Sequence, residues 1–529
     1  MAMFLSPIHA DDPPTRKAWD NATIHDGQAF YAFFNTTDVG TEPRAYGLDI
    51  ARSEDGVHWE FIARDLIPIT GAHAGYGVLR VGGRVFYYPT VTDNAGRTHL
   101  RIYSSTDYLN WEYHGEAYDV TPDARYYAAR WEEMCILHDH EDGREVYYGY
   151  ISAEVRDDVG APGLGVARSY DGVSWEVLPP PIIEWGELPA QHMEVNFCER
   201  IGGRYYLSLT GRLYLDSYGY SAYTFVGDSP TGPFVPDLPA FRMTGTSRRD
   251  ITWLAHVVHA PDGPLVALWL SARQELEIPS HNMGIGPLKR LIAENDHLRL
   301  AWWPGNEAAK AERLPIVDER LGWVHPAPSL RSNGDTLELT DSTIVLGSTR
   351  DGGLVVFDRT FDAGRGFIVE GRFGASEQRG DIATHQHAAA AGFFLESDEN
   401  EGYAIVAETL GVTRGGTLRY ADHRITDEDV YAEAGTWLVQ TRSGRLRGFV
   451  DVHWDDQVGP FGHAPFCGIR HGRMHRFRLI ARGDFVELYV DDWYVQTYLI
   501  PIGFTGRIGL LGFDGVATFT DLEGWRLDL

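Results

Sequence analysis

From Asp20 onward the chain runs in short stretches of aromatic and β-branched residues, each interrupted by a glycine at a tight turn. That is the pattern of β-hairpins. Five hairpins share one design: HDGQAFYAFF (25–34), VGGRVFYYPT (81–90), EDGREVYYGY (141–150), IGGRYYLSLT (201–210) and PDGPLVALWL (261–270). Each follows a strand with a leading residue and a large apolar residue four places later. The leading residues are Asp20, Gly75, Glu133, Glu194 and Asp250, at intervals of 55 to 61 positions. Between these hairpins a second motif recurs as SEDGVHW (53–59), STDYLNW (105–111) and SYDGVSW (169–175), with SPTGPF (229–234) as a degenerate fourth copy. Its Asp and Gly make a turn, and its Trp is expected to pack between adjacent sheets.

Five units of this length, each with about four strands, predict an all-β chain that opens with a five-bladed β-propeller. Closing the sheets into a ring removes their free edges, and the innermost strand of each blade then lines a central channel. Leading residues distant in sequence are thereby expected to converge on one pocket. Residues 1–305 are assigned to this domain, with an irregular lead-in before Asp20 at Pro7, Pro13 and Pro14. The stretch WWPGNEAAKAERLP (302–315) predicts a short helix over Glu307 to Leu314, capped by Asn306 and ended by Pro315, inside a linker covering 306–330. Residues 331–529 carry strands without the blade motif, such as GLVVFDRTF (353–361), HRFRLIAR (475–482) and GRIGLLGF (506–513), and predict a two-sheet β-sandwich.

The charge balance narrows the set of partners. Lys plus Arg number 46 against 75 for Asp plus Glu, a formal charge of -29, which disfavours phosphate backbones and anionic membranes and suits a neutral ligand such as a small carbohydrate. No nucleic-acid or membrane partner is expected. Cys135, Cys198 and Cys467 have no paired spacing, so buried inert thiols are expected. Met1 to Asp12 shows no secretion signal, and a cytoplasmic protein is the expectation. His385 and His387 stand close together without nearby partners and are read as surface or packing residues.

Four of the five leading residues are acids: Asp20, Glu133, Glu194 and Asp250. One acid at a strand start is ordinarily solvated or caps a turn. Several facing one narrow cavity repel each other and lose hydration, which is retained where they have partners or work to do. Arg130 and Arg249 are the candidate partners, and Asp250 with Arg249 reads equally as a hydroxyl clamp or a structural ion pair. Cleavage of a glycosidic bond needs such a cluster, because one carboxylic acid protonates the leaving oxygen while a second carboxylate attacks the sugar or activates water. Trp19, Trp131, Trp185 and Trp253 lie near the leading residues and read as sugar-facing walls or as core. His73, His192 and His256 read as hydrogen-bonding wall residues.

The order Asp, acid, Glu on blades one, three and four, followed by a sandwich, resembles glycoside hydrolase family 32, the β-fructofuranosidases. In that family the acids sit in Trp-x-x-Asp-Pro-Asn-Gly, Arg-Asp-Pro and Glu-Cys-Pro motifs. The segment ELYVDDWYVQTY is similar to a strand pair near the end of the family's sandwich, so the resemblance covers nearly the whole chain. It implies Asp20 as nucleophile, Glu133 as the stabiliser that contacts sugar hydroxyls, Glu194 as general acid/base, a retaining mechanism, and no metal or other cofactor. Here Asn21 follows the first acid, Trp19 directly precedes it, Glu132 precedes the second acid, Met134 follows it, and Val195 follows the third. Asn21 and Glu132 join the set expected to contact the sugar. The departures imply a divergent branch acting on a fructofuranoside or a related furanoside.

Two other readings remain open at this level. An inverting propeller enzyme like glycoside hydrolase family 43 places its acids on the same blades. A non-catalytic glycan-binding propeller would keep them for hydroxyl recognition. The sandwich shows no site of its own and is open to supporting the propeller, walling the pocket or mediating oligomer contacts.

Overall fold

A computed structural model describes residues 16–38, 45–93, 95–159, 163–185, 193–211, 221–238, 241–244, 252–271, 283–314, 316, 325–326, 336–339, 343–348, 353–376, 389–398, 401–408, 413–419, 451–455, 470–483, 485–499, 505–513 and 515–528. The chain divides into two compact units, Met1–Ala309 and Lys310–Leu529.

The first unit is a five-bladed propeller built from antiparallel meanders. Blade one comprises Arg16–His25, Phe30–Asp38, Ala45–Ser53 and Glu60–Thr70, and blade two Ala72–Val81, Arg84–Thr92, Tyr103–Ser105 and Glu112–Tyr113. Blade three is Tyr127–Glu141, Arg144–Val155, Leu164–Ser169 and Trp175–Leu178, and blade four is Met193–Ile201, Arg204–Gly211, Ser221–Gly227 and Phe234–Pro236. Thr252–Ala260, Gly263–Ser271, Lys289–Glu294 and His297–Trp302 complete blade five. The first strand of each blade touches the first strand of the next, and that of blade five touches that of blade one, so the five inner strands close a ring.

The second repeat holds the blades together. Asp55 accepts the backbone N–H groups of Val57 and His58 at 2.9 and 2.8 Å, and Asp107 and Asp171 make the same turn in blades two and three. Trp111 then meets Phe33 of blade one edge-on at 6.3 Å, and Trp175 meets Tyr88 of blade two at 5.7 Å. These tryptophans are core packing between blades, with indole N–H groups donated to the Tyr108 and Gly172 carbonyls.

The helix expected over Glu307–Leu314 does not form. A 3-10 turn spans Pro304–Ala309, and Lys310–Leu314 is a strand paired with Gly515–Leu527. Sheet pairing takes the backbone groups that a helix would have used. The second unit packs two antiparallel sheets. One runs Trp493–Leu499, Phe485–Val490, His475–Arg482, Phe367–Ser376, Gly515–Leu527, Thr343–Ser348, Thr336–Leu339, and the other is centred on Gly353–Asp362, Thr505–Phe513, Ala390–Asp398 and Glu401–Glu408. Their inner faces bury one apolar core that includes Phe373, Phe393, Phe477, Leu488, Leu510 and Phe519.

Candidate active site

Three leading acids, each almost without exposed surface, sit on the inner ring: Asp20 at 5%, Glu133 at 7% and Glu194 at 6% exposure. Two of them occupy left-handed backbone, with φ of 34° at Asp20 and 55° at Glu133. Both coincide with β-bulges, where the strand pairing skips between Trp19 and Asn21 and between Glu132 and Met134. A bulge re-aims a side chain that regular alternation would send elsewhere, at the cost of local strain.

Gly75, the one leading residue that is not an acid, has its own task. Its N–H donates to Asp20 Oδ2 at 2.8 Å. Its carbonyl accepts from Asn35 Nδ2 at 2.9 Å, and the Asn35 carboxamide oxygen accepts the Tyr87 hydroxyl. A Cβ at this position would lie 2.2 Å from that hydroxyl and 2.5 Å from Asn35 Nδ2. Glycine is therefore required by close approach.

Glu133 is held on both sides. Its N–H donates to Thr90 Oγ1 of blade two at 3.0 Å, and its Oε2 accepts from Ser152 Oγ at 3.0 Å. Ser152 Oγ in turn accepts the Val195 N–H at 3.0 Å, tying the second acid to the residue beside the third. Burial pushes the Glu133 carboxyl well above the ordinary carboxylate range, and the charges of Glu194, Asp20 and Glu132 push it further, against the pull of Arg130. Arg130 comes to the site because the pairing is irregular between Tyr127 and Trp131. It bonds to Glu132, reaches Glu194 Oε1 at 3.4 Å and donates to the Met193 carbonyl at 3.0 Å.

Tyr76, the bulge residue of blade two, crosses the ring. Its hydroxyl lies within hydrogen-bonding distance of the Asn196 and Ala255 carbonyls of blades four and five. His256 of blade five accepts the Thr23 N–H of blade one at 3.4 Å through Nδ1, and burial lowers its pKa to about 4, so the ring is neutral.

The remaining expected residues divide. Asn21 is buried beside Asp20, and its Nδ2 has no hydrogen-bond partner among the described residues. Glu132 sits with Arg130 at the cluster. Trp131 is corrected: it is fully buried, donates its indole N–H to Val120, and packs on Tyr127 at 4.7 Å in the core of blades two and three, so it offers no face to a ligand. Trp185 is likewise core, edge-on to Phe225 at 5.2 Å. His192, Arg249 and Asp250 lie outside the described residues, as do the side chains of Trp19, His73 and Trp253 and the residues His385, His387 and Cys467. Cys135 and Cys198 are buried free thiols.

Four supporting residues escaped the sequence reading: Asn35, Thr90, Ser152 and Thr210. All are buried at the ends of the second strands of blades one to four. Thr210 Oγ1 donates to Asn196 Oδ1 at 2.7 Å, and that oxygen also accepts the Ala255 N–H. Their signal in the sequence is a small polar residue closing an otherwise apolar run, as in FYAFFN, VFYYPT, VYYGYIS and YYLSLT.

A five-bladed propeller with a β-sandwich as the second unit is the fold of solved family 32 glycoside hydrolases. No protein-family model and no curated protein matches the sequence. Among solved structures, sucrose-6-phosphate hydrolase from Lactobacillus gasseri is similar over 100% of this chain and 93% of that one, with a TM-score of 0.62 and 13% identity. A Bombyx mori family 32 β-fructofuranosidase aligns over 100% and 94%, at a TM-score of 0.60 and 13% identity. A Bifidobacterium adolescentis family 32 glycoside hydrolase covers 100% and 81%, at a TM-score of 0.62 and 11% identity. The fold is that of these structures, at 11–13% sequence identity.

Proposed function

We propose that this protein is a glycoside hydrolase that cleaves a furanoside, a fructofuranoside or a close relative, by retaining double displacement. The observation that carries the reading is the set of three buried carboxylates on blades one, three and four, close enough that Glu194 and Asp20 both raise the proton affinity of Glu133. Burial and neighbouring acids favour a protonated carboxyl in a cluster of this kind, and acid-assisted glycosidic cleavage works with one carboxyl protonated and another ionised. The small-carbohydrate substrate is supported by solved structures of the same fold that contain sucrose, for the Bombyx mori enzyme, and fructosylnystose, for the Schwanniomyces occidentalis enzyme.

In this reading Asp20 Oδ attacks the anomeric carbon as the bond to the leaving oxygen breaks, and Glu194 gives that oxygen its proton. Water then attacks the glycosyl-enzyme, Glu194 takes a proton back, and Asp20 is released. The Gly75 N–H holds the Asp20 carboxylate in one orientation, and Glu133 faces the sugar hydroxyls.

Hydrolysis of a panel of aryl furanosides and pyranosides tests this. Turnover is expected on a furanoside, and Asp20→Asn should lower it by about 10³-fold or more. NMR of the first-formed product should show retained configuration. Inverted product would make the enzyme an inverting one, and sugar binding without turnover on any furanoside would leave a binding propeller.

A further inference from the structure

At the hairpin end of blade three, three side chains that take no part in the acid cluster point to one spot. His138 and His140 are two residues apart on the inner strand Tyr127–Glu141, so they share a face, and Glu145 pairs directly across from His140 on Arg144–Val155. One ligand atom from each of the three lies within 4.8 Å of the other two. His138 Nε2 is 3.6 Å from Glu145 Oε1, and the two imidazoles are 5.5 Å apart at their centroids. We propose that His138, His140 and Glu145 form a binding site for one divalent transition-metal ion of the zinc type, with water completing the coordination.

The chemistry of the donors selects the ion. Two imidazole nitrogens and one carboxylate suit zinc and its neighbours, while calcium and magnesium take all-oxygen sets. Tetrahedral bonds of about 2.0–2.2 Å put ligand atoms roughly 3.3–3.5 Å apart. Small rotations of exposed side chains close the gap from 4.8 Å, since the His138 side chain is 43% and Glu145 59% exposed. A supporting shell is also in place. The Tyr147 hydroxyl donates to Glu145 Oε2 at 3.4 Å, and its ring stacks on His138 at 5.0 Å, which restrains both ligands.

The site lies about 16 Å along the strand from Glu133, five residues away, at the opposite end of the hairpin from the acids. His138 also borders a cavity of about 250 Å³ lined by His25, Arg80, Glu199 and His259. A bound ion would clamp the strand that delivers Glu133 to its neighbour, with no part in sugar chemistry.

Full-length protein freed of metal with a chelator and titrated calorimetrically with zinc chloride should bind one equivalent with micromolar affinity. His140→Ala and Glu145→Gln should each weaken that binding at least tenfold, and Tyr147→Phe several-fold. With one equivalent of Cu(II), the electron paramagnetic resonance spectrum should show two nitrogen ligands in the wild type and one in His140→Ala. Equal melting temperatures of the chelated variants and wild type would establish that the substitutions leave the fold intact. Absence of saturable zinc binding would overturn the proposal, and so would full affinity in His140→Ala, which would place the ion elsewhere among the chain's 21 histidines. These readouts are independent of whether the protein hydrolyses any sugar.

Discussion

At the scale of single residues, the acid cluster is controlled as much by what flanks it as by the acids. Gly75→Ala places a methyl 2.2 Å from the Tyr87 hydroxyl. It should destabilise the protein by about 1–3 kcal/mol and lower turnover by displacing the N–H that orients Asp20. Adding Tyr87→Phe removes the nearer clash and should recover part of the stability, an interaction that a double-mutant cycle measures. Glu133 makes the opposite trade. Its folded pKa lies well above its ordinary 4.5, so between those values the native protein holds a proton that the unfolded chain has released. Stability therefore falls as pH rises through that window. Glu133→Gln should raise stability at pH 7 while abolishing activity. The gain should vanish below pH 4.5, where wild-type Glu133 is protonated in both states. Melting curves at pH 4 and pH 7 would show it, and an equal shift at both would count against a strained, proton-holding cluster.

At the scale of elements, the bulges and second strands carry what single residues cannot. Ser152 is the clearest joint, bonding to Glu133 on its own blade and to the Val195 N–H on the next. Ser152→Ala should leave a buried N–H unpaired and cost about 1–3 kcal/mol in urea unfolding. It should also lower kcat more than it raises KM, because it loosens two acids at once; Ser152→Thr should restore part of both. These elements were only half legible in the chain. The hairpin turns and the turn–Trp repeat gave away the strands and their number. The bulges at Asp20 and Glu133 did not show, because a one-residue register skip depends on the partner strand. The expected helix after Asn306 failed for the same kind of reason. Asn306 donates its side-chain amide to the Leu288 carbonyl, Glu307 accepts the Trp302 indole N–H, and Lys310–Leu314 finds a strand partner more than two hundred residues away.

At the scale of the whole molecule, the propeller is a ring whose first and last blades meet without a covalent tie. His256 of blade five accepts the Thr23 N–H of blade one, and burial holds its pKa at about 4 against an ordinary 6.5. Between those values the unfolded chain binds a proton that the native ring refuses, so stability falls as pH drops from 6.5 toward 4. The loss should be on the order of 3 kcal/mol. Unfolding free energies of wild type should fall more steeply over that range than those of His256→Gln, and parallel curves would remove His256 from the account. The repeat of leading residues and hairpins determined the propeller and the place of Asp20, Glu133 and Glu194 on its inner strands, and the strands that lack the repeat determined the sandwich, since turn chemistry and apolar spacing are local properties of the sequence. Tertiary structure alone decided why blade two carries glycine, that Trp131 is core and faces no ligand, that Arg130 reaches Glu194, and which small polar residues brace the cluster. Each of those depends on the approach of a second strand or a neighbouring blade, a distance no single stretch of sequence contains.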